Sequence, residues 1–173
     1  MAIGQPEKST EWYKKAASNG DAEAMTRYAG ALFYGVNVPQ DIVQSNELCK
    51  KAIVTDGFPD ALLDLALRYI HGHGLPVNLN HAFHLMERSA KQGNMAAQNN
   101  LGFMYRNGQG VDADDEKALY WYHQSANQGY EGAIMFLCNY YQHNNIQELV
   151  KMLHIGAHFN IQPCLDALNN MDI

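Results

Sequence analysis

Eight histidines are the residues of this 173-residue chain whose types and spacing come nearest to a metal site. His154 and His158 are four residues apart and would share one face of a helix, while His71 and His73 flank a single residue. Zinc needs a third ligand at the same point, and no cysteine or carboxylate stands at ligand spacing from either pair. We therefore expect surface or structural histidines and no metal or cofactor, with a metal ligand as the alternative interpretation.

The acidic segment 112–116 has the composition of a calcium-binding loop but not its spacing. An EF-hand needs a twelve-residue loop with glycine at its sixth position and a closing glutamate, and both are missing here. Carboxylates at the start of a helix are favoured by the helix dipole and accept hydrogen bonds from first-turn N–H groups. The segment therefore predicts a helix cap, with Asp112 or Asp114 as the capping residue.

The three cysteines Cys49, Cys138 and Cys164 are irregularly spaced and contain no Cys-x-x-Cys pair. That pattern is typical of reduced thiols inside a cell. Cys49 and Cys138 occupy helix positions that we expect to be packed, where thiols are inert. The chain also lacks a Gly-x-Ser-x-Gly motif, a phosphate-binding glycine loop and a dinucleotide fingerprint. These observations predict a cytoplasmic protein that is not an enzyme.

Composition excludes several further classes of protein. Hydrophobic residues make up 47% of the chain and charged residues 17%, which is typical of a globular fold. The formal net charge of −6, without a cluster of Lys and Arg, argues against a nucleic-acid partner. The polar start lacks the apolar core of a signal peptide, and no apolar run approaches the ~18 residues of a membrane span.

A repeat with a period of 36 residues organises the chain. The matched slots of the clearest copy, 94–129, hold Ala97, Leu101-Gly102, Tyr105, Gly108, Gly110-Val111, Asp114, Lys117-Ala118, Trp121, Ser125-Ala126 and Gly129. The same slots of copy 58–93 hold Ala61, Leu65-Ala66, Tyr69, Gly72, Gly74-Leu75, Asn78, His81-Ala82, Leu85, Ser89-Ala90 and Gly93. Looser copies cover 21–57 and 130–159. Matching slots at one period favour stacked helix pairs over unrelated amphipathic helices.

Each copy predicts two helices joined by a glycine-rich turn. Leu101 and Tyr105 are four residues apart and define the core side of the first helix, and Tyr69 is the core tyrosine of the preceding copy. Gly102 removes bulk, so that a neighbouring helix can approach closely. Trp121 is expected to pack between successive units. A partial copy at 10–20 and a closing helix at 161–171 complete the chain.

These slots resemble the Sel-one-like repeat family, whose pattern is Ala-x-x-x-Leu-Gly-x-x-Tyr-x-x-Gly-x-Gly-Val, then Asp, Lys-Ala, Trp and Ala-Ala-x-x-Gly. The resemblance covers roughly residues 12–159, with departures at Tyr28, Leu32 and Asn37 and a missing loop in the fourth copy. It implies an all-α fold, an α/α superhelical solenoid of about four helix-turn-helix repeats with terminal capping helices. We expect one domain over 1–173 that is a monomer or a weak homodimer.

The resemblance also implies a function, that of a non-catalytic module binding a partner protein on the concave face of the stack. Many bacterial members are shielding or immunity proteins, so one hypothesis is an immunity protein that occludes a toxin. The alternative is a regulatory or assembly scaffold for cell-envelope or host proteins. Some secreted members carry paired cysteines within each repeat. Because that pattern is absent here, the resemblance does not extend to the secreted subclass.

The binding face can be placed on a helical wheel. With the apolar slots of its helix toward the core, Phe103 lies nearly opposite them. We therefore predict a groove with an apolar centre at Leu67, Ile70 and Phe103. The other predicted partner-binding residues are Arg27, Phe33, Leu63, Asp64, Arg106, Asn139 and His143. Alternatively, first helices pack sideways on one another, and Leu63, Leu67 and Phe103 are packing residues.

Overall fold

The computed structural model describes residues 6–143 and 145–171, and within them the chain forms ten helices. In chain order these are α1 (Pro6–Ser18), α2 (Ala22–Tyr34), α3 (Ile42–Asp56), α4 (Pro59–His71), α5 (Leu79–Lys91), α6 (Met95–Asn107), α7 (Asp115–Ala126), α8 (Glu131–Tyr141), α9 (Ile146–His158) and α10 (Gln162–Asn169). The described ranges contain no strand, which confirms the all-helical prediction.

The chain divides after Gln92 into two compact units. In the first unit α1 packs on α2, α2 on α3, α3 on α4 and α4 on α5. In the second, α6 packs on α7, α7 on α8, α8 on α9 and α9 on α10. Within each unit, helices that are adjacent in sequence are therefore adjacent in space, as in stacked helix hairpins. We call α2, α4, α6 and α8 the first helices.

The turns that follow α2, α4 and α6 are built alike. Each begins with a glycine in the left-handed conformation, which glycine adopts without steric cost: Gly35 (φ 69°), Gly72 (φ 71°) and Gly108 (φ 64°). Each ends with a side chain that accepts a hydrogen bond from the first turn of the next helix: Asp41 from Gln44 N, Asn78 from His81 N and Asp114 from Lys117 N. The predicted cap in the acidic segment is thus Asp114.

Buried serines tie the two helices of a pair together. Ser89 Oγ donates to the carbonyl oxygen of Pro59 at 2.7 Å, and Ser125 Oγ donates to that of Met95 at 2.7 Å. Both serines are fully buried. Because each hydroxyl finds a backbone acceptor at the start of the first helix, the second helix can pack closely there without leaving a polar group unsatisfied.

The buried face of α6 is the one that the sequence pattern predicts. In α7, however, the buried aromatic residue is not the one that the pattern indicates. Leu101 is 0% and Tyr105 8% exposed. In α7 the buried aromatic residue is Tyr122, at 3% exposure, whereas Trp121 is only half-buried. Ala118, Tyr122 and Ala126 form the buried stripe at four-residue spacing. Trp121, which the repeat predicts to pack between successive units, therefore lies at the edge of the core, because it is ~100° away from that stripe.

Tyr69 also differs from its counterpart in the next copy. It is half-buried and packs edge-on against the exposed ring of His81, with 4.6 Å between ring centroids. Thirty-six residues later, the slots of Tyr69 and His81 hold Tyr105 and Lys117, and the Lys117 Nζ lies 5.5 Å from the Tyr105 ring centre. Tyr69 is therefore a boundary residue rather than the core tyrosine that the repeat predicts.

Candidate functional site

The first unit has a cavity of about 250 Å³ between α2 and α4. Three of the predicted partner-binding residues, Phe33, Asp64 and Leu67, line it. The other lining residues are Gly30, Tyr34, Arg68, His71 and His73. The cavity arises where two first helices face each other, and it brings aromatic, acidic and basic side chains to one place.

Arg68, which is not among the residues predicted from the sequence, is a fixed cation in the cavity wall. It is 4% exposed, and its Nη1 donates to Oδ1 of Asn46 at 2.8 Å. Its guanidinium carbon lies 4.9 Å from the centre of the Phe33 ring. A buried charge needs such partners, because desolvation otherwise costs several kcal/mol. The available sequence signal was an arginine in a slot that holds the apolar Met104 one period later.

Asp64 offers the opposite charge to the same cavity. Burial raises the pKa of its carboxyl group, and the charges of Arg68 and Arg27 act in the opposite direction. Among the described residues, no ion pair of 4.0 Å or less joins Asp64 to either arginine. The cavity therefore presents a desolvated carboxyl group and a buried guanidinium that are not neutralised by direct contact.

The remaining predicted residues of the first unit lie outside the cavity wall. Arg27 is exposed, and its Nη2 lies 3.5 Å from the Oε1 of Glu23. The long, exposed ion pair between Arg27 and Glu23 contributes little to stability, so the Arg27 guanidinium can exchange Glu23 for another acceptor. The other two residues, Leu63 and Ile70, are half-buried.

An exposed surface on α6 and α8 is the main feature of the second unit. Phe103 is 47% exposed, and Arg106, one turn later, is exposed as well. The Arg106 guanidinium carbon lies 4.8 Å from the centre of the Phe136 ring. Tyr140, 42% exposed, stacks on Phe136 with 6.2 Å between centroids. We call Phe103, Arg106, Phe136 and Tyr140 the Arg106 patch; its two residues on α8 were missed because nothing local in the sequence marks them.

The last two predicted residues also belong to the second unit. Asn139 and His143 are exposed, and Asn139 Oδ1 accepts a hydrogen bond from Gln142 Nε2 at 2.8 Å. Asn139 borders a largely apolar cavity of about 290 Å³ between α8, α9 and α10. Leu67 and Phe103 belong to different units, so the single groove expected from the sequence stays a prediction.

The described residues do not assemble the other chemistry that the sequence suggested. Within 6–143 and 145–171, no three His, Cys, Asp or Glu side chains are placed to hold a metal ion. Burial raises the pKa of the Cys49 thiol and of the Cys138 thiol to about 12, so both are protonated at neutral pH. None of the helices in these ranges combines the length and the apolar character needed to cross a membrane.

Comparison with known sequences agrees with this architecture. The sequence profile of the Sel1 repeat matches residues 3–21, 22–53, 59–94 and 96–130, so α8 and α9 continue the stack beyond the matched segments. The exopolysaccharide production negative regulator of Rhizobium leguminosarum bv. viciae is 31% identical over 149 residues, which cover 79% of this chain and 56% of that protein. The chain spans 11% to 56% of the length of the curated relatives considered.

Solved structures share the fold. A Sel1 repeat protein from Oxalobacter formigenes has a TM-score of 0.80 and 26% identity over 89% of this chain and 64% of its own. The immunity protein Pa5087 from Pseudomonas aeruginosa has a TM-score of 0.66 and 24% identity over 92% of this chain and 61% of its own. These likenesses confirm the α/α solenoid class, and Sel1 repeat proteins are protein-interaction modules. From its profile matches and its helix-pair fold, the chain belongs to the Sel1 repeat family.

Proposed function

We propose that this chain is a non-catalytic adaptor, a monomer or weak homodimer in the cytoplasm, that binds a protein partner through the exposed faces of its first helices. The observation that carries the proposal is the position of Phe103, which is 47% exposed although Leu101 on the same helix is fully buried. An apolar side chain of that size, beside an exposed arginine, is typical of the centre of a protein interface.

The finer proposal is that the partner is a toxin and the chain its immunity protein. An immunity protein acts by covering a surface of the toxin, which requires binding residues but no catalytic group. The same fold is found in the immunity protein Pa5087, and this supports the suitability of the scaffold for the role. Production of the chain together with a toxin encoded beside its gene should then restore growth.

The second candidate function is that of a regulatory or assembly scaffold for cell-envelope or host proteins. It is favoured by the relative whose name describes negative regulation of exopolysaccharide production. The phenotype of a deletion strain distinguishes the two functions. Loss of the gene should leave that strain sensitive to the toxin if the chain is an immunity protein, and should change surface polysaccharide without affecting toxin sensitivity if it is a regulator.

The binding surface is tested with a double variant, Leu67→Ala with Phe103→Ala. Wild-type and variant chains serve as baits in native lysate, and captured proteins are compared by mass spectrometry. We expect the double variant to lose the partner that the wild type retains, with a melting temperature close to that of the wild type, because neither side chain is fully buried. Val43→Ala with Val54→Ala, two exposed residues of α3, is the matched control and should retain the partner.

Two outcomes contradict the proposed surface. If the double variant unfolds, Leu67 and Phe103 are packing residues, as the alternative interpretation of the sequence has it. If it binds the partner normally, the binding site lies elsewhere, for example on the turns at 72–75 and 108–111.

A further inference from the structure

Among the described residues of the second unit, one cationic side chain has no acceptor. Residues 93–173 contain three Lys or Arg and eight Asp or Glu. Lys117 pairs with Asp114 at 2.8 Å, and Lys151 pairs with Glu148 at 2.6 Å. Within the part of the chain that the structure describes, the Arg106 side chain has neither a hydrogen bond nor an ion pair. Carboxylates are abundant in this unit, yet none of those in 93–143 and 145–171 forms an ion pair with Arg106.

A cation–π contact nevertheless holds the Arg106 guanidinium in place. Its carbon lies 4.8 Å from the centre of the Phe136 ring, and that ring stacks on Tyr122 at 3.9 Å with an interplanar angle of 24°. Tyr122 is 3% exposed and is therefore anchored in the core. Such a contact holds a guanidinium over the ring while leaving its N–H groups able to donate to other acceptors. The fold therefore holds the Arg106 side chain in position while leaving its N–H groups available to a partner.

The surroundings of Arg106 are apolar and accessible. Phe103 lies one helical turn before it and is 47% exposed, and Tyr140 stacks beside Phe136 and is 42% exposed. A partner that covers these rings removes water from around the guanidinium. An ion pair formed in that setting is stronger than one on an open surface, because the local dielectric falls.

We propose that the Arg106 patch binds an Asp or Glu side chain of the partner protein, with an apolar residue of the partner next to it. The carboxylate accepts two N–H bonds from the guanidinium, the geometry that arginine favours. The apolar neighbour lies against Phe103 and Tyr140. This inference rests on the proposed protein-binding function and adds the chemistry that the partner must present.

The test uses random twelve-residue peptides displayed on phage and selected on the immobilised full chain. We expect enriched peptides to carry Asp or Glu beside a large apolar residue. A synthetic copy of the best peptide should lose affinity about tenfold or more when its acidic residue becomes the corresponding amide, and by a similar factor on Arg106→Ala. Arg106→Lys should recover only part of the affinity, because an ammonium keeps the charge but not the paired donors.

Lys117→Ala provides the matched control. Lys117 also lies over an aromatic ring, that of Tyr105 at 5.5 Å, but its charge is already paired with Asp114. Peptide affinity should be unchanged in this variant. Circular dichroism of Arg106→Ala and of a second variant, Arg106→Gln, should match the wild type, because the side chain is exposed.

Several outcomes overturn the inference. They are enrichment of peptides without acidic residues, equal affinity for wild type and Arg106→Ala, and enrichment of no peptide at all. Arg106-dependent binding of a twelve-nucleotide oligothymidylate, run in parallel, would assign the patch to nucleic acid instead. In the first two cases peptides still bind, so the proposed protein-binding function stands while the carboxylate assignment fails.

Discussion

The Nη1 atom of Arg68 lies 2.8 Å from the Oδ1 atom of Asn46, and this hydrogen bond ties α4 to α3. Both residues are nearly inaccessible, at 4% and 2% exposure. Asn46 Nδ2 also donates to the carbonyl oxygen of His73 at 3.2 Å, so one amide connects two helices and a turn. One period later the Arg68 slot holds Met104, which is 1% exposed. A polar network therefore replaces an apolar contact in the first unit.

Replacing Asn46 with Ala should destabilise the protein by about 1.5–3 kcal/mol, because a buried guanidinium loses its acceptor. The double variant Asn46→Ala with Arg68→Met should be more stable than Asn46→Ala alone, since it removes the stranded charge and restores the side chain of the next copy. Urea unfolding of the three proteins measures both effects. A double variant less stable than the single one would contradict this account of the network.

Two helical glycines should respond oppositely to Ala. A Cβ at Gly102 would lie 3.1 Å from the backbone oxygen of Ala118 and from the ring of Tyr122, so Gly102→Ala should cost about 1–3 kcal/mol through overpacking. At Gly30, a Cβ would meet no described atom within 4 Å, and Gly30→Ala should stabilise the helix by about 0.5–1 kcal/mol. Thermal denaturation of Gly102→Ala and Gly30→Ala tests this prediction. Melting temperatures that shift in the same direction in both variants would refute the packing argument.

Tyr122 should matter more to stability than its larger neighbour Trp121. Tyr122→Ala removes a side chain that is 3% exposed and stacked on Phe136, and we expect a loss of about 3–5 kcal/mol, as for large aromatic truncations in cores. Trp121→Ala, at a half-buried position, should cost less than about 2 kcal/mol. Equilibrium urea titrations rank the two. Equal or reversed losses would show that the assigned helix face is wrong.

His123 should make the fold weaken under mild acid. Its Nε2 lies 2.9 Å from the Tyr141 hydroxyl, and burial lowers the pKa of the imidazole, with the charge of Glu148 opposing. The unfolded chain then binds a proton more readily than the folded one, so stability that is fully present above the unfolded pKa of about 6.5 is lost as the pH falls from that value through the lower folded pKa.

The comparison is between wild type and His123→Gln, with urea midpoints measured from pH 7.5 to pH 5.5. The wild-type midpoint should fall more steeply, because the variant lacks the titrating imidazole. The Asp64 carboxyl group, whose pKa burial raises, shifts stability the opposite way at lower pH and is common to both proteins. Parallel curves would mean that His123 does not titrate differently on folding.

The candidate binding surfaces were only partly predictable from the sequence. A helical wheel correctly leaves Phe103 and Arg106 on the exposed side of α6, because their exposure depends on the phase of a single helix. The same reasoning missed Arg68 and Phe136. The surroundings of both residues are set by side chains on other helices. The periodicity of a single helix carries no information about those contacts.

The sequence by itself determined the helices, their pairing and the turns between them. Glycines such as Gly72 and Gly108, and caps such as Asn78 and Asp114, act on residues a few positions away, so their effect is readable wherever the repeat recurs. Only the tertiary structure decided which side chains meet across helices. Arg106 reaches Phe136 on another helix because packing brings α6 and α8 to the appropriate spacing, and that spacing depends on many residues at once rather than on local preference.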